Sequence, residues 1–232
     1  MQPRESRLED KMDIHASDTA VVITDPQNDV LRTGGPVWAL VGGALETNRT
    51  VENLARLIDG ASNNGFSVFV SPHYNFESDH DWKFGGPIEN MMHEGRMFAR
   101  SSSLSLDGFA GSGADWLDAL APRINNGTTV VTSPHKMFGA TSNDLILQLR
   151  KRGISKVILG GMLANLCVES HLRDLLENGF EVAVISDAVA APNHPQLGDG
   201  NKSAATNFNF LANAVLSTDE VLEVMAQAAD VS

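Results

Sequence analysis

The chain reads as an α/β protein, a three-layer α/β/α, Rossmann-like arrangement around a central, mainly parallel six-stranded sheet. Three observations predict it. Short β-branched or apolar runs alternate with segments whose apolar residues recur at helical spacing, the pattern of βα units that lay strands in parallel beneath helices. The runs end abruptly at proline or glycine, as at Asp25-Pro26 and Gly160-Gly161. No low-complexity linker divides the 232 residues, so residues 19–232 are read as a single domain.

Residues 1–18 form a polar N-terminal arm, lying on a neighbouring subunit or left disordered. Its first eleven residues are charged throughout and hold no apolar stretch, unlike a secretory signal. Thr19-Ala20-Val21-Val22-Ile23-Thr24 is the first strand; Pro26 cannot donate to a ladder, so the strand delivers Asp25 at its carboxyl end. Leu45 to Ile58 reads as an amphipathic helix that closes near Asn63-Asn64-Gly65. Phe66 to Val70 is the second strand, ended by Ser71-Pro72-His73. Residues 74–115 then break the rhythm with Trp82, Met91, Met92, Met97 and several turn clusters, which marks a lid or an interface element around a short helix at Glu89 to Arg96. From Gly127 the rhythm returns: a strand at Thr128 to Thr132, the turn Ser133-Pro134-His135-Lys136, and a helix from Ser142 to Arg152. Lys156 to Leu159 is a strand that runs through Gly160-Gly161 into the helix carrying Cys167, Leu172, Leu175 and Leu176. A strand at Phe180 to Ile185, a helix at Asn201 to Leu211, a short strand at Ala214 to Leu216 and a helix at Asp219 to Ala228 complete the order. The matching strings Val70-Ser71-Pro72-His73 and Thr132-Ser133-Pro134-His135 are explained by two parallel strands stopped by proline.

The balance of 29 acidic to 17 basic residues, a net charge of −12, disfavours nucleic-acid and membrane partners. With one cysteine there is no internal disulfide, and a reducing cytoplasm is the expected location. That cysteine falls in or just before the first turn of a helix, where free N–H groups can lower a thiol pKa from ~8.5 to roughly 3.5–7.5. The competing reading is a small buried hydrophobe. Asp25, Lys136 and Cys167 each follow the carboxyl end of a predicted strand, and parallel connections put those ends on one edge of the sheet. Singly, Asp25 is an ordinary turn aspartate and Lys136 a solvated lysine; an acid, a cation and a thiol converging together point to a cleft that does chemistry.

At Asp25-Pro26-Gln27-Asn28-Asp29, at the lysine turn, and at Gly161-Met162-Leu163-Ala164-Asn165-Leu166-Cys167-Val168 and Asp187-Ala188, the chain resembles the isochorismatase-like cysteine hydrolases. That family includes nicotinamidase and the N-carbamoylsarcosine, ureidoacrylate and biuret amidohydrolases. The resemblance implies a catalytic triad of Asp25, Lys136 and Cys167, an oxyanion hole of the Leu163 and Cys167 amides, and a cis peptide between Met162 and Leu163. It also implies a homo-oligomer. Cys167 would attack a carbonyl carbon of a small amide, ureido or carbamoyl compound, Asp25 would move the protons, and a thioester would be hydrolysed by water. Gln27, His73, Tyr74, Trp82 and Phe84 are the candidate substrate contacts, and no cofactor is expected.

Three departures bear on the substrate. The nicotinamidase branch carries an Asp-x-His metal site after its second strand; here Ser71-Pro72-His73 lacks the carboxylate and His80 is the only companion, so no metal is expected. Isochorismatases proper cleave a vinyl ether without a cysteine at this place, so Cys167 favours the C–N hydrolases. Val30 stands where the family usually carries an aromatic residue. An ether hydrolase and a non-catalytic protein that keeps the fold stay open as alternatives. A dinucleotide-binding protein would need G-x-G-x-x-G after the first strand, where Asp25-Pro26-Gln27-Asn28 stands instead.

Overall fold

The computed structural model describes residues 12–229. Strands β1 (Thr19–Thr24), β2 (Ser67–Ser71), β3 (Val130–Val131), β4 (Lys156–Met162), β5 (Glu181–Ala190) and β6 (Ala214–Leu216) form one sheet in the order β6-β5-β4-β1-β2-β3. Every pairing in that sheet is parallel. The chain builds outward from β1 through β2 to β3, then returns to the other side of β1 and builds through β4 and β5 to β6. The order therefore reverses between β1 and β4, and in open parallel sheets that reversal leaves a crevice outside the carboxyl ends.

Nine helices lie among the described residues: α1 (Asn28–Leu31), α2 (Trp38–Asn48), α3 (Thr50–Asn63), α4 (Pro87–Glu94), α5 (Ala121–Ile124), α6 (Leu145–Lys151), α7 (Glu169–Glu177), α8 (Gly200–Leu211) and α9 (Thr218–Ala229). Successive side chains of a strand face opposite ways, and β1 feeds two cores accordingly. Val21 and Ile23 join Leu45 of α2, Leu54, Leu57 and Ile58 of α3 and Val221 and Met225 of α9. Ala20 and Val22 join Leu145 and Leu149 of α6, Leu172 and Leu175 of α7 and Phe208 of α8. Both faces are covered, which is why the strand sequences are apolar throughout rather than alternating.

The expected six-stranded parallel sheet is present, with differences of detail that have local causes. The helix expected over Leu45 to Ile58 is two helices, because Arg49 takes a left-handed conformation (φ 53°) and ends α2 before α3 starts. Strand β5 runs to Ala190 because, after an irregularity between Leu159 and Gly161, β4 resumes pairing with it through Gly161 and Val189. Residues 74–115 hold α4 and a small two-stranded parallel pairing of Asn75–Phe76 with Ala99–Arg100. Of the arm, residues 1–11 lie outside the described residues; Met12 and Ile14 are buried in the core rather than free in solvent. No described helix is long and apolar enough to cross a membrane.

Candidate active site

Two strand ends build the site. At the end of β1 the chain turns through Asp25, a buried residue whose φ of 49° is left-handed. At the end of β4, Gly161 adopts φ 118° and sits so close to Thr24 that a Cβ would lie 2.2 Å from the Thr24 carbonyl oxygen. Only glycine permits that approach. Thr24 Oγ1 donates to the Met162 carbonyl at 3.1 Å, which fastens the two strand ends together. The peptide between Met162 and Leu163 is cis. A single π-helical turn, Ala164–Val168, then carries Cys167 into α7.

Cys167 and Asp25 meet in this crevice. The thiol also donates to the Met137 carbonyl at 3.7 Å. The backbone amides of Leu163 and Cys167 act to lower the pKa of the sulfur, but burial and the neighbouring Asp25 carboxylate prevail and hold the thiol well above its ordinary value. A helix-terminal thiolate is therefore not the resting state. Burial also raises Asp25, to about 6. At neutral pH the carboxylate is ionised and the proton rests on sulfur, the arrangement a base needs before it accepts a proton.

Three buried histidines surround the pair. His135 Nε2 lies 2.8 Å from Asp25 Oδ1; against an ionised carboxylate that nitrogen must carry the proton, which leaves Nδ1 as a buried lone pair with no partner. His171 Nδ1 donates to the Cys167 carbonyl at 2.7 Å and its Nε2 accepts from Ser71 Oγ at 2.9 Å, so its tautomer is set from both sides. His73 stacks on Phe98 at 4.6 Å, and neither of its ring nitrogens has a hydrogen-bond partner. Burial depresses all three, His73 and His135 to about 3 and His171 to about 4, so each is neutral at physiological pH.

Lys136 is placed differently from the expectation that it shares the cleft with Asp25 and Cys167. Its Nζ donates to the Tyr74 carbonyl at 2.7 Å, pairs with Asp79, and lies 3.9 Å over the Phe76 ring. Asp79 supplies the counter-charge that holds the ammonium there, and His135 occupies the place against Asp25. Gln27 is a tie rather than a pocket residue: its amide donates to the carbonyls of His73 and Ala114, and its oxygen accepts from the His73 N–H. Tyr74 is buried against Phe109 and Trp116 under the Arg100 guanidinium. Trp82 and Phe84 stand 41 % and 90 % exposed and line no part of the pocket over Cys167.

That pocket is tight, with a cavity volume of about 20 Å³. Asp25, His73 and Cys167 are its only polar side chains, and its wall is Val30, Val37, Ile88, Met91, Met92, Met97, Phe98, Phe138, Leu163 and Leu166. Half of that wall comes from residues 88–98, tied at Phe98 to the segment after β1. Asn28 N–H donates to Asp115 O and its side chain to Ser112 O, Asp29 N–H donates to Gly113 O, and the Asp29 carboxylate accepts from the Phe98 N–H.

Residues 19–220 match the family model described as the isochorismatase domain. The chain belongs to the isochorismatase family. Among its relatives, the ureidoacrylate amidohydrolase RutB of Methylorubrum extorquens is 27 % identical over 225 residues, covering 91 % of this chain and 88 % of its own. The enzyme of the same name from Stutzerimonas stutzeri is 26 % identical over 234 residues, covering 94 % and 86 %. Among solved structures, a cysteine hydrolase from Pseudomonas syringae pv. phaseolicola superposes with a TM-score of 0.75 at 22 % identity, covering 94 % of this chain and 97 % of the other. N-carbamoylsarcosine amidase from Thermoplasma acidophilum gives 0.64 at 20 % identity, covering 87 % and 97 %; at these identities the likeness is one of fold. This isochorismatase-family hydrolase thus has amidohydrolase relatives and a thiol at the switch point of its sheet.

Sequence reasoning missed His135, His171 and Phe138 in this isochorismatase-family site. A signal for His135 was present. The repeated Ser-Pro-His ends two strands that prove to be neighbours, so His73 and His135 fall side by side, joined by a parallel bridge with rings 4.9 Å apart. His171 follows Cys167 by four residues, one helical turn, which brings its ring back to the Cys167 carbonyl.

Proposed function

We propose that this isochorismatase-family hydrolase cleaves the C–N bond of a small amide, ureido or carbamoyl compound by way of a thioester on Cys167. The observation that supports it is the buried apposition of the Cys167 thiol with Asp25, beside the backbone amides of Leu163 and Cys167. In this reading Asp25 takes the Sγ proton as sulfur bonds to the carbonyl carbon. The oxyanion forms beside the two N–H groups, where one such donor is typically worth ~2.7–4 kcal/mol. Asp25 returns the proton to the departing nitrogen as the C–N bond breaks, then deprotonates the water that attacks the thioester. An acid and ammonia or an amine leave, and the thiol is restored.

His135 keeps Asp25 oriented through Oδ1 and leaves its remaining lone pairs for the thiol. An imidazole held neutral adds no positive charge, so sulfur becomes nucleophilic only as its proton moves. No lysine or arginine lines the pocket. A neutral amide with a short apolar substituent therefore fits it better than one bearing a carboxylate, which would be buried without a counter-charge. The relatives named for ureidoacrylate and N-carbamoylsarcosine support the ureido or carbamoyl group as the reacting part; both compounds also carry a carboxylate, so the neutral preference rests on the pocket lining alone.

A panel of neutral and carboxylate-bearing small amides, ureides and carbamoyl compounds, assayed for ammonia or amine release by chelator-treated protein, tests the reading. Turnover of a neutral member, lost in Cys167→Ala, is expected. Undiminished turnover by Cys167→Ala, or activity that chelation abolishes and zinc restores, would overturn it.

A further inference from the structure

We propose that Asp25, His73, His135 and Cys167 together form a binding site for one thiophilic divalent ion of the zinc type, and that the bound ion takes the nucleophile out of use. One donor atom from each of the four lies within 4.8 Å of every other. Zinc bonds of about 2.0–2.3 Å set tetrahedral donor atoms about 3.3–3.6 Å apart, so side-chain movements of about 1 Å close the set. Two imidazoles, a thiolate and a carboxylate are a donor set that zinc and cobalt(II) accept.

The second observation is unspent donor capacity. His73 is wholly buried with both ring nitrogens unpartnered, and His135 Nδ1 is in the same condition. Buried polar atoms are ordinarily satisfied, so a buried imidazole with both nitrogens unpartnered, one donor atom of which belongs to the cluster, calls for a ligand. The Asn75 side-chain oxygen, otherwise unpartnered, is near enough to act on His73 and could accept a hydrogen bond from the ring nitrogen that an ion leaves free. Charge balance agrees. Thiolate and carboxylate against a dication sum to zero, and two neutral imidazoles add nothing, so the occupied site buries no net charge. On binding, the S–H bond breaks, its proton leaves to solvent, and a metal–sulfur bond takes its place without any change of oxidation state.

This site differs from the Asp-x-His arrangement considered above. Ser71 supplies no carboxylate and donates instead to His171, while His80 sits 5.0 Å from His93 and is absent from the four-residue cluster. Because the donors include the groups that hydrolysis uses, occupancy and turnover exclude each other. The binding half of the inference rests on geometry alone and holds whether or not an amide is cleaved.

Cobalt(II) titration of chelator-stripped protein is the test. One ion per chain, with thiolate-to-cobalt charge-transfer absorption and tetrahedral d–d bands, is expected, displaced by one equivalent of zinc. Zinc should also slow alkylation of Cys167 in proportion to the fraction bound. His73→Gln should weaken cobalt binding by more than about 100-fold, beyond the cost of losing an outer partner, whereas His80→Gln should leave it unchanged. Absence of a thiolate band from the unsubstituted protein would overturn the site, as would wild-type affinity in folded His73→Gln. Should that variant not fold, the band and the protection of Cys167 decide the matter. Hydrolysis of any substrate found is expected to fall in step with occupancy; activity that rises with it would overturn the silencing half while leaving the spectrum intact.

Discussion

Asp25 and Cys167 share one titrating proton, and their surroundings decide where it rests. Because burial lifts Asp25 to about 6, kcat/KM for any substrate found is expected to rise with pH through about 6, as the free base ionises. Asp25→Asn should lose about 10³-fold or more. An inflection near 4 in the unsubstituted enzyme would show that another group is the base. His135 and Lys136 make a sharper pair. If His135 holds the third place beside Asp25, His135→Leu lowers kcat by about 10²-fold, while Lys136→Met stays within about tenfold of the parent because its ammonium is occupied by Asp79 and the Tyr74 carbonyl. The reverse ranking, measured at saturating substrate, would return the role to Lys136. Sequence placed both residues at the same strand end but could not tell which would face inward. That depends on Asp79, 57 residues away in the chain, drawing the lysine off.

The elements show the same division between local pattern and distant partner. Strand-to-helix punctuation, the glycine turn and the proline stops lie within a few residues of what they control, and they were legible. Gly161 is the position where that legibility can be tested: Gly161→Ala would drive a Cβ into the Thr24 backbone. We expect it to cost more than about 2 kcal/mol in urea unfolding and to separate the ends of β1 and β4; a loss under ~0.5 kcal/mol would show that the approach is not needed. The polar motif after β1 was visible as a motif, yet its work was hidden. Gln27, Asn28 and Asp29 fasten residues 73, 98 and 112–115, contacts set by tertiary packing that no spacing within the motif records. The Leu45 to Ile58 helix was misjudged for a similar reason, since its apolar spacing continues across the Arg49 break.

For the molecule as a whole, the buried histidines set the acid limit of stability. His73 and His135 protonate only near about 3 and His171 near about 4 in the fold, against an ordinary 6.5, so their contribution is complete above pH 6.5 and is lost as pH falls toward those values. Asp25, raised from 3.8 to about 6, works the other way: its contribution is complete below 3.8 and is lost as pH rises through 6. At pH 5 three histidines oppose one carboxylate, a net uptake of about two protons on unfolding, and stability should fall by roughly 2–3 kcal/mol per pH unit there. Urea midpoints of metal-free protein at pH 7, 6 and 5 check this, and a flat series would contradict it. The second expectation is a homo-oligomer. Phe84 and Leu104, 90 % and 97 % exposed within the excursion, are apolar surface that a neighbouring subunit would cover. A monomeric mass by light scattering would refute it.

Reactive groups and half of the confining wall come from different stretches of this chain. Sulfur and carboxylate ride on strand ends at the centre of the sheet, whereas Ile88, Met91, Met92 and Met97 belong to the inserted stretch that closes over them. Thioether side chains are unbranched and yield easily to a guest's outline. Divergence could therefore retune what is admitted by altering a dozen positions of the insert while the chemistry beneath stayed untouched. A laboratory library confined to residues 84–98 should accordingly yield descendants with swapped substrate preference and ancestral turnover, the signature of an evolvable, promiscuous progenitor.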